Sequence, residues 1–242
     1  GGYFAPIIRE YIRRSNAPSD IGIKVAVKDR LHGARNPLSH LNLPNISHQE
    51  VEDSMMLWDP IRFLEACPSS DGACAMIIAN KDLVSKSPKP PAWILGGAMR
   101  SEPTIYAGRD EVNPRAGRDC AKDVYAQAGI SDPRRQFDCA EIYVPFSWYE
   151  PMWLENLGFA DQGEGWRLTL DGATSLDEGG DIPWNCSGGV LSSNPIGASG
   201  MIRFAEAARQ VRGDADQHQV ENARLALGHA YGGGAQFFSM WV

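Results

Sequence analysis

From Ala92 to the C-terminus, short apolar runs of strand character alternate with longer runs of helical periodicity, and this alternation constrains the fold more than any other feature. "AWILGGAMR", "FDCAEIYVPF" and the two apolar halves of "LGHAYGGGAQFFSMWV" read as strands. Between them "RDCAKDVYAQAGI", "WYEPMWLENLG" and the stretch after Asn194-Pro195 read as helices. The pattern predicts an α/β fold with a largely covered sheet. Pro195 suits the first turn of a helix, where its missing N–H leaves nothing unpaired. From Ala198 to Val211 apolar or small residues surround almost the whole helix, which predicts burial on most sides. The N-terminus of that helix then points at a Gly- and Ser-lined loop, a place suited to developing negative charge.

Upstream, residues 3–16 and 19–34 read as helices, the first amphipathic through Phe4, Ile7, Ile8, Tyr11 and Ile12. A loop follows to residue 46, and Ser47 with Glu50 forms a capping-box pattern for a short helix. "DGACAMIIAN" reads as a strand covered on both faces. "SKSPKPPAW" (85–93) reads as a stiff, solvated linker, dividing the chain into segments 1–90 and 91–242. Residues 160–183 read as a polar, Gly-rich loop free to move.

An apolar content of 43% over 242 residues is ample for a packed core. A net charge of −7, with acids and bases intermixed, argues against nucleic acid as a partner. No apolar run has the length of a bilayer span. The five cysteines (67, 74, 120, 139, 186) make no CxxC pair and read as reduced thiols of a cytoplasmic protein, Cys186 as structural. The five histidines form no metal-ligand spacing, so no metal site is expected in this chain. All six lysines (24, 28, 81, 86, 89, 122) read as solvated surface. The chain opens on Gly1-Gly2 with neither methionine nor a signal or transit sequence, and we expect a preceding N-terminal portion.

Four segments place polar groups beside tight glycine turns: "EIYVPF", "NCSGG", "SSNPIGASG" and "HAYGGG". Each falls where an α/β sheet presents its site. Any one alone has a structural explanation; the four together predict a pocket. The triple glycine leads into a strand-like run, not a helix, so neither the dinucleotide nor the P-loop mechanism applies. No G-x-S-x-G elbow occurs. Trp148, Tyr149, Trp153 and Trp166 have the shape to line a site for a flat molecule, but we read Trp148 and Trp153 as interface residues.

The order E-x-[N/H]-x-x-F, N-P-S-G-G, H-P-I-G-A-[ST]-G and a Gly-rich turn near the C-terminus resembles the C-terminal half of the thiolase superfamily. The sterol-carrier-protein-type branch is the nearest. "VAVKDRLHGARNP" and "DPIRFLEACPSSDGACAMIIAN" resemble the same branch. The resemblance implies a thiolase-like fold layered α-β-α-β-α, with part of the N-terminal half absent. It also implies a homodimer. Where that branch has H-D-C-F, this chain has Tyr143-Val144-Pro145-Phe146, and Asn194 replaces the H-P-I-G histidine. His229-Ala230-Tyr231 occupies the place of a thiolase cysteine, and N-P-S-G-G has become Asn185-Cys186-Ser187-Gly188-Gly189.

Claisen chemistry needs a thiolate to carry the acyl group and a second base. Two phenols stand here instead, and the set Tyr143, Asn194 and Tyr231 resembles the thiolase-like aldolases that shorten steroid side chains in actinobacteria. The resemblance implies retro-aldol cleavage of a 17-hydroxy steroid acyl-CoA to a 17-ketosteroid and propionyl-CoA. It assigns Tyr143, Tyr231, Asn194 and His229 to catalysis, and Gly232, Gly233 and Ser199 to substrate binding. It further implies a partner hydratase subunit with an OB-fold and zinc ribbon, the zinc belonging to that partner, and no cofactor in this chain beyond the CoA of the substrate. Two alternatives stay open: a true thiolase whose cysteine lies in the absent N-terminal part, and a non-catalytic scaffold that binds acyl-CoA or lipid.

Overall fold

Residues 1–103 and 108–242 are described by a computed structural model of the chain. Helix α1 (Phe4–Ser15) buries Ile7, Ile8 and Tyr11 on one stripe and leaves Arg9, Arg13 and Arg14 in water. It stops at Asn16, whose left-handed backbone (φ 53°) lets its N–H return to Ile12 O. Helix α2 (Ile21–Arg35) is buried nearly all round, with Asp29, Arg30 and His32 inside. The capping box forms as the sequence predicts. Ser47 N–H donates to Glu50 Oε2 at 2.8 Å and Glu50 N–H to Ser47 Oγ at 3.2 Å, starting α3 (His48–Asp53). A small antiparallel pair, β1 (Met56–Trp58) and β2 (Ile61–Arg62), follows.

The main sheet has the order β3-β6-β5-β4. Strands β3 (Gly97–Ser101), β6 (Phe237–Trp241) and β5 (Ala226–Gly232) are antiparallel neighbours, and β4 (Cys139–Glu141) lies parallel to β5. Helices α4 (Arg115–Ala128), α5 (Pro133–Gln136), α6 (Tyr149–Asn156), α7 (Gly165–Leu170), α8 (Gly189–Ser192) and α9 (Ser199–Arg212) complete the element order. Side chains alternate across β5 with the two-residue period of a strand. Gly228 and Ala230 turn to α9, whereas Leu227, His229 and Tyr231 face the opposite layer, where Trp153 of α6 packs on His229 and Tyr231. Glycine sets the closeness of α9. A Cβ on Gly228 would stand 2.4 Å from the Phe204 ring, and one on Gly200 2.8 Å from Ala230 Cβ. The described residues thus give the predicted α/β architecture as one helix–sheet–helix set, with a single large core running from Ala5 to Val242.

Six expectations change. "DGACAMIIAN" forms no strand: residues 71–80 are mostly exposed, Ile77 at 98%, because no strand of the described residues lies beside them to take their N–H and C=O groups. The strand predicted over 137–146 shrinks to Cys139–Glu141, because the next N–H, of Ile142, donates to Asn185 Oδ1 at 2.8 Å and leaves the ladder. Helix α9 buries a polar stripe rather than an apolar surround, with Ser199, Arg203, Glu206 and Gln210 inside and Met201 exposed. These groups are paired: Arg203 with Glu141, Glu206 with His218 Nε2 at 3.1 Å, and Gln210 Nε2 with His218 O at 2.7 Å. Trp148 and Trp153 are fully buried in the chain's own core and form no interface. The loop 160–183 contains α7 and packs Trp166, Thr174 and Ile182 inside. Lys28 is not solvated surface: its side chain is only 9% exposed, and its ammonium lies 2.6 Å from Asp29 Oδ1 and 2.8 Å from Glu150 Oε2.

Candidate active site

The ends of β4 and β5, the loop before α9 and the segment after the β1–β2 pair converge on one place. Tyr143 follows β4, and its N–H donates to His229 Nδ1 at 3.3 Å while its C=O accepts from Trp153 Nε1 at 3.0 Å. Those two bonds fix the backbone that carries the phenol. Tyr231 is two residues beyond His229 on the same face of β5, so its ring reaches the same layer. The two rings meet edge to face, with centroids 5.3 Å apart. Trp153 and Tyr149 close further sides of Tyr231, at 5.3 and 5.8 Å.

Asn194 is the hinge of the polar contacts. Its Oδ1 accepts from the Tyr143 hydroxyl at 3.3 Å and from Ser199 Oγ at 2.7 Å. Its Nδ2 stands 3.1 Å from Cys67 Sγ, and its backbone N–H donates to Ser70 Oγ at 3.0 Å. Asn194 therefore ties the loop before α9 to the 67–70 segment. A second buried knot fixes the other loop. Glu141 accepts from Ser187 N and Oγ at 2.9 and 2.7 Å and pairs with Arg203, holding "NCSGG" under the helix.

Of the residues the resemblance implies, Tyr143, Tyr231, Asn194 and Ser199 come together around one amide and two rings. His229 is fully buried behind them, between Trp153 and Phe238. Gly232 and Gly233 make the start of the β5–β6 turn, Gly233 with φ of 53°, where glycine's freedom is needed for the bend. Cys67 and Ser70 are site neighbours that the sequence reading missed. Nothing in spacing brings residues 67–70 against 194; only their place in the "EACPSSDG" stretch of the resemblance marked that region.

Burial sets the electrostatics. It raises the Tyr143 phenol, with a further push from nearby Cys67, and raises Tyr231 well above the ordinary phenol, helped by Tyr149 and Tyr143. Both are protonated at neutral pH and are therefore donors. Burial also pushes up the thiols of Cys67 and, far more, of Cys186, which suits the structural reading of Cys186. His229 is held neutral, its pKa lowered to about 3 by burial. With Nδ1 accepting from Tyr143, its ring proton resides on Nε2.

His32 is likewise lowered to about 3, by burial and then by Lys28. Both imidazoles stay neutral in the fold but gain protons in the unfolded chain below about pH 6.5. Their stabilisation is thus complete above that pH and is lost as pH falls toward 3. Asp29, raised to about 7 by burial, acts with the opposite sign, so the histidine share is read as a difference. Urea unfolding of wild type and His229→Gln between pH 6 and 4 is expected to differ in slope by about 1.4 kcal/mol per pH unit. Equal slopes would show that His229 is not buried in its neutral form.

Residues 97–242 match the family described as thiolase C-terminal domain-like. The chain is 32% identical to the acetyl-CoA acetyltransferase of Methanothermobacter thermautotrophicus over 211 residues, covering 86% of this chain and 54% of that protein. It is also 32% identical to the 17-hydroxy-3-oxo-4-pregnene-20-carboxyl-CoA lyase of Mycobacterium tuberculosis over 216 residues, again 86% and 54%. On the solved Ltp2-ChsH2(DUF35) aldolase it superposes with a TM-score of 0.85 at 28% identity, covering 99% of this chain and 62% of that one. The chain spans about half the length of the curated relatives it matches, at 54% of each. With its helix–sheet–helix layers and loop order, the chain belongs to the thiolase family.

Proposed function

We propose that this chain is part of a retro-aldol carbon–carbon lyase acting on a steroid β-hydroxyacyl-CoA. The substrate in this reading is a 17-hydroxy steroid acyl-CoA, and the products are a 17-ketosteroid and propionyl-CoA. The observation that carries the reading is the phenol pair at 5.3 Å, with the Tyr143 hydroxyl bonded to the Asn194 amide. Cleavage sends the carbon–carbon bonding electrons into the thioester as an enolate while the substrate hydroxyl becomes a ketone. Donors fixed around the thioester oxygen stabilise that enolate. The Tyr143 proton is already engaged by Asn194, so Tyr143, Asn194 and Ser199 orient the polar end of the substrate. Tyr231 then gives its proton to the α-carbon. His229 positions Tyr143 by accepting its backbone N–H on Nδ1.

Similarity to the lyase relative and to the solved aldolase supports this reading, and the composition of that solved structure supports a partner of the DUF35 kind. In this reading the working unit is a homodimer joined to an OB-fold and zinc-ribbon subunit, in the cytoplasm. No helix among the described residues is long and apolar enough to cross a membrane. The test is incubation with a 17-hydroxy steroid acyl-CoA, with and without the partner subunit, followed by mass detection. Ketosteroid and propionyl-CoA in equal amounts are expected; binding without turnover would favour the scaffold instead.

A further inference from the structure

Resting on the retro-aldol reading, we propose that Ser70 and His40 are its proton-accepting side. A retro-aldol cleavage needs a group to take the substrate hydroxyl proton, and two protonated phenols are poor acceptors. Ser70 Oγ accepts the backbone N–H of Asn194 at 3.0 Å, the residue whose side-chain Oδ1 accepts from the Tyr143 hydroxyl. Ser70 Oγ also stands 2.8 Å from His40 Nδ1. With one lone pair filled by Asn194, the serine proton is directed to Nδ1 in the Nε2–H tautomer of His40.

Ser70 sits at an opening. Ser70 borders a groove of about 440 Å³ whose other wall is Pro195–Ala198 and Met201 at the start of α9. Asn194 immediately precedes that wall and links the two sides, taking the Tyr143 hydroxyl on its Oδ1 and giving its N–H to Ser70 Oγ. His40 is exposed, so water reaches its ring. It is also held in place, because the next residue, Leu41, donates its N–H to Ser192 O at 2.9 Å. A serine–imidazole contact of this length at a groove is the geometry of proton transfer through a hydroxyl.

In the step, the substrate hydroxyl gives its proton to Ser70 Oγ as Ser70 passes its own proton to His40 Nδ1. The carbon–carbon bond breaks, its electron pair forms the enolate, and the hydroxyl carbon becomes the ketone. Tyr231 protonates the α-carbon. His40 then loses its extra proton to water and Tyr231 regains one, so no net proton is consumed. Ser70 touches the substrate, whereas His40 acts through Ser70 as a positioning residue.

The experiment measures ketosteroid formation by the assembled lyase carrying His40→Ala, Ser70→Ala or Ser70→Thr, with and without added imidazole. His40→Ala and Ser70→Ala are each expected to lower kcat by about 10²-fold or more with KM nearly unchanged. Ser70→Thr, which keeps the hydroxyl, should retain most of the rate. Imidazole should restore at least about tenfold to His40→Ala and nothing to Ser70→Ala, a rescue that an unfolded or merely structural variant does not show. Wild-type kcat in His40→Ala, or a loss that imidazole leaves untouched, overturns the relay while the retro-aldol reading stands. A wild-type assembly that makes no ketone overturns that reading, and the relay with it.

Discussion

Tyr231→Phe is expected to lower kcat for ketone formation by about 10²–10⁴-fold while KM and Tm stay close to wild type. The change removes one oxygen and keeps the ring that packs on Tyr143, Tyr149 and Trp153, so the aromatic packing survives. What is lost is the proton delivered to the α-carbon after cleavage. Burial keeps that phenol protonated far above neutral pH, which makes it an available donor throughout the physiological range. Tyr143→Phe removes a donor to Asn194 Oδ1 at 3.3 Å, but Ser199 still satisfies that oxygen at 2.7 Å. Its effect should therefore fall on orientation of substrate, seen in kcat and KM together. Steady-state kinetics on the two variants separates the roles; equal and small effects on both would remove the phenols from the chemistry.

Lys28→Met is expected to destabilise the fold by about 3–5 kcal/mol. The ammonium lies between Asp29 and Glu150, both fully buried, and donates also to Trp184 O at 3.2 Å. Burial alone would lower the lysine, but the two carboxylates hold it raised and charged. The acids have further partners: Glu150 accepts from Thr169 and Thr174 at 3.2 and 2.9 Å, and Asp29 from Asn185 at 3.2 Å. Removing the cation leaves two buried acids facing each other, and at least one must bind a proton for the fold to persist. Stability lost at pH 8 should be partly regained at pH 5. Urea denaturation at the two pH values checks this; a loss below about 1 kcal/mol at pH 8 would show that the pair is solvated.

How much could be read beforehand follows from which forces are local. The capping box at Ser47 and the β5–β6 hairpin depend on neighbours in sequence, and both were legible. So was the pairing of Tyr143 with Tyr231, although that came from the resemblance rather than from periodicity. The strand predicted at 71–80 needed a neighbouring strand, and its apolar residues stand in solvent without one. The α9 stripe was misread because small residues mask direction on a helical wheel. Its buried face is fixed by Glu141, Ser187 and His218, which come from three other segments. Lys28 and Cys67 failed for the same reason, since their partners lie more than a hundred residues away at Glu150 and Asn194.

In the proposed reaction phenol has replaced sulfur at this site, so a carbon bond is split and no acyl group is carried. Cys67, 3.1 Å from Asn194 Nδ2, is the thiol best placed to contradict it. Intact-protein mass measured during turnover of the hydroxyacyl-CoA tests the point directly. Ketosteroid in solution with the protein mass unchanged at every time point is expected; an acyl-sized increase on this chain, lost with Cys67→Ser, would contradict phenol-based cleavage.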